Sequence, residues 1–229
     1  MGSKSRKKIV FAIVEGPSDD EALGVILSRL YADDEVYVEI VHGDITADKL
    51  VSADNIASKI GGIVKKYAAS THYKASHFKQ VIHLIDMDGA YIPDESIVRD
   101  SAWDSAYYST TEIRIAETEK IIARNEKKRK NIDRICCMGT VWNTIPYRAY
   151  YMSANLDHVL YDKLNSTDEE KERDALAFAK KYKDNLEDFL AFICDSEFSV
   201  KGDFNESWKY IKKSIRLRGI LTWGFPFMK

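Results

Sequence analysis

The chain has 229 residues, 45% of them hydrophobic and 31% charged, which is ample for an independent core and excludes a disordered polypeptide. A formal net charge of −2 excludes a protein that coats nucleic acid through its overall field, so any affinity for phosphate must come from local patches. The three cysteines include the neighbours Cys136 and Cys137, which fit neither a disulfide-stapled scaffold nor a C-x-x-C metal or redox motif.

The N-terminal "MGSKSRKK" is basic, but the apolar "IVFAIV" behind it is too short for a signal-peptide core or a membrane span. With thiols expected to stay reduced, this composition reads as a cytoplasmic protein without a membrane partner.

"KKIVFAIVEG" is a short β-branched and aromatic run ending at a glycine, the pattern of a buried strand in a mostly parallel sheet. "PSDDEALGVILSRLY" follows. Ser18 and Glu21 have capping-box spacing, and Leu23, Ile26, Leu27 and Leu30 recur at helical intervals. A second strand, "EVYVEIVHGD", and a second helix near residues 52–70 repeat the cycle, and "QVIHLIDM" supplies a third strand.

Residues 92–112 lack a clean period and read as a loop-rich insertion or an edge element. A helix over 115–131 then ends in a basic cluster, and "IDRICCMGTVW" reads as a fourth strand holding both neighbouring cysteines. The remainder carries apolar residues three and four apart in "NLDHVLYDKL", "DEEKERDALAFAKKY", "LEDFLAFICD" and "ESWKYIKKSIRL". The fold class expected is α/β: a mostly parallel sheet flanked by helices over residues 1–150, with a helical C-terminal extension over 151–229 packed on it.

Acidic residues stand just after two of these strands. Glu15 follows the first, and Asp86 and Asp88 close the third, where residues i and i+2 of an extended chain share a face. In open α/β sheets functional groups collect at the carboxyl ends of strands. Three carboxylates gathered there raise one another's pKa unless a cation compensates, and oxygen-only donors favour Mg²⁺ or Mn²⁺. Such an ion acts on phosphates. Each motif alone also has a plain reading, D-x-D-G as a polar turn and E-G-P-S-D as a helix entry whose acids complement the dipole.

"IVEGPSDDEAL" followed by "HLIDMDGAY" resembles the Toprim domain, whose pattern is Glu-Gly after the first strand and D-x-D after the third. The resemblance covers roughly residues 8–92 and implies a Rossmann-like core. It implies Glu15 as general acid/base, Asp86 and Asp88 as metal ligands, Asp19 as a further acidic ligand, and Gly16 and Gly89 as turn-shaping residues. The implied activity is Mg²⁺-dependent cleavage of DNA or RNA by a stand-alone Toprim nuclease, of the kind found among OLD-like, RloB-like and phage-defence or toxin-like effectors. No G-x-x-x-x-G-K-[ST] motif is present, so an ATPase could act only as a partner chain. The alternative is a non-catalytic Toprim-like module that binds nucleic acid or a nucleotide alongside such a partner.

Three further signals stay two-sided. Asn155, Asp157 and His158 open a helix and are loosely similar to an acidic segment of some defence-associated Toprim proteins, yet Asn155 is equally a helix N-cap. Lys127, Lys128, Arg129 and Lys130 could track a phosphate backbone or form a solvated helix end. Lys212, Lys213 and Arg216 offer a second basic stretch beside aromatics. His83 reads as a core or edge residue of the third strand rather than a ligand, and His42 as a lesser site candidate.

Overall fold

The computed structural model describes residues 8–32, 36–142, 144–196 and 199–213. β1 (Lys8–Val14), α1 (Pro17–Leu30), β2 (Val36–His42), α2 (Ile56–Ser70) and β3 (Phe78–Asp86) follow the expected alternation. Next come β4 (Ile97–Arg99), β5 (Tyr107–Tyr108), β6 (Ile113–Ile115), α3 (Thr118–Ile135), β7 (Thr140–Val141) and β8 (Ile145–Met152). The chain continues through α4 (Leu156–Tyr161), α5 (Asp168–Tyr182), α6 (Leu186–Asp195) and α7 (Phe204–Lys213).

The main sheet has the order β2-β1-β3-β8-β7, parallel except for the β7–β8 edge pair. Strand alternation feeds two cores. Ile9, Phe11 and Ile13 of β1 face α2, α3 and α7, whereas Val10, Ala12 and Val14 face α1, α4, α5 and α6. The protein is therefore an α/β sandwich with a mostly parallel mixed sheet between two helical layers. The C-terminal helices divide between those layers. Phe178, Tyr182 and Phe189 of α5 and α6 pack with Leu23 and Leu27 of α1, while Trp208 of α7 packs on Tyr151 with ring centroids 4.7 Å apart.

The fourth strand is not where the sequence places it. Residues 132–135 complete α3, because Ile121, Ile132 and Ile135 share one buried face and carry the helical period past the basic cluster. Cys136 and Cys137 follow the helix as free thiols, and the strand that joins β3 is β8. The insertion is more ordered than a loop. β4, β6 and β5 form a separate three-stranded sheet over Ile92, Ile97, Ile113 and Ile115, which closes against Ile121 of α3. Among the described residues no helix is long and apolar enough to cross a membrane.

Candidate active site at the ends of β1 and β3

β1 and β3 are direct neighbours, which brings both acidic motifs to one edge of the sheet. Glu15 Oε1 accepts the backbone N–H of Asp86 at 3.2 Å, so the motifs touch. The turn into α1 is held from below. Asp19 Oδ2 accepts the backbone N–H groups of Glu15 at 3.2 Å and of Gly16 at 3.0 Å. The helix begins at Pro17 with Gly16 as N-cap and Asp19 at the third helical position, rather than with the Ser18–Glu21 box read from sequence. Gly16 shapes no unusual turn: its φ is −139°, and a Cβ there would meet only Ser18 Oγ at 4.0 Å.

Asp86 and Asp88 do not share an extended face. β3 ends at Asp86, and after Met87 the chain adopts left-handed backbone, with φ of 49° at Asp88 and 66° at Gly89. The turn is fixed by the chain after β8. Met87, Asp88 and Gly89 donate their N–H groups to the carbonyls of Met152, Ala154 and Ser153. A non-glycine residue in this conformation costs free energy unless its surroundings impose it, and aspartate is among the few that adopt it readily. In this turn the Asp88 carboxylate is engaged by α3.

There it meets a residue the sequence reading left on the surface. Lys128 is fully buried, with Nζ 2.5 Å from Asp88 Oδ2, 3.7 Å from Glu15 Oε1 and 4.0 Å from Asp44 Oδ1. Neither a phosphate-tracking stripe nor a solvated helix end describes it. Arg124, one turn earlier, donates to the Asp88 carbonyl and to the Tyr108 hydroxyl, joining the small sheet to the site. A signal was available: Ile121, Asn125, Lys128, Ile132 and Ile135 recur at intervals of four and three, so Lys128 falls on the inward face of α3.

The rest of the basic run is largely tied down. Lys127 donates to the Asp48 carbonyl, Arg129 donates to the Ala90 carbonyl, and Lys130 pairs with Glu126. Lys212 pairs with Asp133 at 2.6 Å, and Lys213 is exposed at the end of α7. Arg216 lies outside the described residues. Asn155 is the N-cap of α4, accepting the His158 N–H at 2.9 Å. Asp157 is buried near Asp19 and Lys171. Burial lifts its pKa to about 6 against the pull of Lys171, with Asp19 adding to the rise. His158 Nε2 lies 3.6 Å from Asp162. His83 sits in the core with Nδ1 2.7 Å from the Tyr147 hydroxyl, and His42 pairs with Asp20 at 3.2 Å.

The site is divided electrostatically. Burial raises the pKa of Glu15 well above the usual carboxylate range. Lys128 opposes that rise, and Asp88, Asp44 and Asp19 add to it. Burial also raises Asp86 strongly, with Glu15, Asp19 and Asp88 adding to the shift. Asp86 Oδ1 is sealed from solvent and accepts no hydrogen bond among the described residues. Burial opposes the charge on Lys128, yet Asp88, Glu15 and Asp44 outweigh it and the ammonium is held charged. The compensation that acids at two strand ends require is thus partly internal. Among the described residues no three His, Cys, Asp or Glu side chains come close enough together to bracket a metal ion.

Comparisons of the chain with protein-family models, curated proteins and solved structures find no match. What the fold and the site define together is a class: an α/β protein with a buried, mixed-charge cluster at the carboxyl edge of a mostly parallel sheet.

Proposed function

We propose that this protein is a Toprim-type nuclease that cleaves phosphodiesters of DNA or RNA with Mg²⁺ or Mn²⁺, working in the cytoplasm as a phage-defence or toxin-like effector. The observation that carries the reading is the hydrogen bond from the Asp86 N–H to Glu15, by which E-G and D-x-D meet at one point of the sheet edge. Glu15 and Asp86 offer the oxygen donors that Mg²⁺ and Mn²⁺ prefer, and among the described residues the buried Asp86 Oδ1 lacks a partner. When bound, the ion would neutralise charge developing on the phosphate. Glu15, whose pKa burial raises, would take or give a proton at its carboxylate. Asp19 would hold the Glu15 backbone in place, and Glu15 and Asp86 would hold the ion beside the Asp88–Lys128 pair.

A screen of purified protein against plasmid, single-stranded DNA, transfer RNA and ribosomal RNA tests the reading, with Glu15→Gln and Asp86→Ala as controls. Metal-dependent cleavage lost in both variants is the expected result. Wild-type activity in either variant would refute it.

One observation favours a second reading. Lys128 already neutralises part of the acidic cluster, as suits a non-catalytic Toprim-like module that binds nucleic acid or a nucleotide with a partner ATPase. Mg²⁺-dependent thermal stabilisation without turnover on any substrate distinguishes it.

A further inference from the structure

The acids of the site fall into two halves that share Glu15. On one side Lys128 Nζ lies 2.5 Å from Asp88, 3.7 Å from Glu15 and 4.0 Å from Asp44. On the other, Asp86 Oδ1 is buried without a hydrogen-bond partner among the described residues, although Glu15 is bonded to the Asp86 backbone. A divalent cation held by Glu15 and Asp86 would face the ammonium across a single carboxylate, where like charges inside a protein repel strongly. The ammonium has somewhere to go. Asp44, in the loop after β2, is the more exposed of its flanking aspartates, with 41% of its side-chain surface accessible against 24% for Asp88. A lysine head is a compact charge on a flexible four-carbon stem, able to change carboxylates without moving its helix.

We infer that Lys128 is the resident counter-ion of this site, and that a divalent cation enters by displacing its ammonium from Asp88 toward Asp44. The inference rests on the metal-dependent reading above and assigns Lys128 control over how tightly the ion is held. It also explains how the acids stay together before any ion arrives: removing Lys128 leaves the half-buried Glu15 and Asp88 without the cation they share.

Calorimetry and thermal unfolding with Mg²⁺ and with Mn²⁺ test this on the full chain, comparing wild type with Lys128→Met. The variant should melt below wild type without metal, should bind the ion about tenfold or more tightly because a like charge is gone, and should recover its melting temperature when loaded. A second measurement needs no variant. Acetylation of Lys128 in wild type, read by peptide mass spectrometry, should be slow without metal and rise severalfold at saturating metal. If Lys128→Met does not fold, the acetylation result decides. Equal metal affinity in the two proteins, or acetylation indifferent to saturating metal, overturns the exchange and leaves the metal centre standing. No binding of either ion to wild type or variant overturns the exchange and the metal-dependent reading together.

Discussion

The carboxylate of Asp19 holds the peptide of Glu15, accepting its N–H at 3.2 Å while also accepting that of Gly16 at 3.0 Å. Gly16 is the N-cap and Glu15 the residue before it, so neither N–H has a partner within the helix. Asp19→Ala should lower stability by about 1–2 kcal/mol in urea unfolding, the usual cost of losing such a cap. Asp19→Asn, which keeps an oxygen acceptor, should stay close to wild type. Equal losses in both variants would show that charge rather than acceptance matters at this position.

Asp86 should stabilise when neutralised. Its native pKa lies above the unfolded value, so the native state binds the extra proton and stability falls as pH rises toward and through the native value. Asp86→Asn removes that liability. By removing a buried charge it should raise the unfolding free energy at pH 8 by roughly 1–3 kcal/mol, and it should flatten the fall in stability as pH rises above the unfolded carboxylate value. Denaturant titrations at several pH values check both, and a variant less stable than wild type at pH 8 would count against the burial argument.

His83 has the opposite sign. Burial, helped by Lys128, lowers its native pKa to about 3 from an ordinary value of 6.5. The unfolded chain therefore takes up a proton that the native state refuses, and stability is lost as pH falls from 6.5 toward 3. His83→Asn, which removes the titrating ring and keeps a polar side chain beside the Tyr147 hydroxyl, should show a shallower acid limb in thermal unfolding between pH 6.5 and 4. An unchanged limb would place the acid sensitivity elsewhere.

The two glycines of the motifs should differ. Gly89 has φ of 66°, where any side chain is strained, and Gly89→Ala should cost about 1–2 kcal/mol. Gly16→Ala should fold with wild-type stability, since its backbone is extended and the space is open. Cleavage lost in a stable Gly16→Ala would then point to close approach of substrate at that turn.

Much of the frame was legible because it is local. The apolar runs of β1 and β3 mark both strands to within two residues at each end, the periods of α5 and α6 give those helices to the residue, and of the core or edge places expected for His83 it takes the core. Failures came where distant contacts decide. Ile132 and Ile135 are as suited to a strand as to a helix, and only burial of their face beside α2 extends α3 through them. Asp88 belongs to an i, i+2 pair on paper, but hydrogen bonds to Met152, Ser153 and Ala154, over sixty residues away, bend the chain. Lys128 was masked by its neighbours: a lysine inside a basic run reads as solvated, and the carboxylates that draw it inward come from three other segments.

The two ends of the described chain meet in one core. Ile9, Phe11 and Ile13 from β1 share their apolar cluster with Trp208 and Ile211 from α7, and the Tyr151 hydroxyl donates to the Ser207 carbonyl at 2.7 Å. During synthesis, that layer stays open until the last described helix has left the ribosome. A prematurely terminated product would carry both acidic motifs on an unsealed sheet, a form open to aggregation and proteolysis rather than a working fragment. Quality control of this chain is thus written into the order in which its parts emerge.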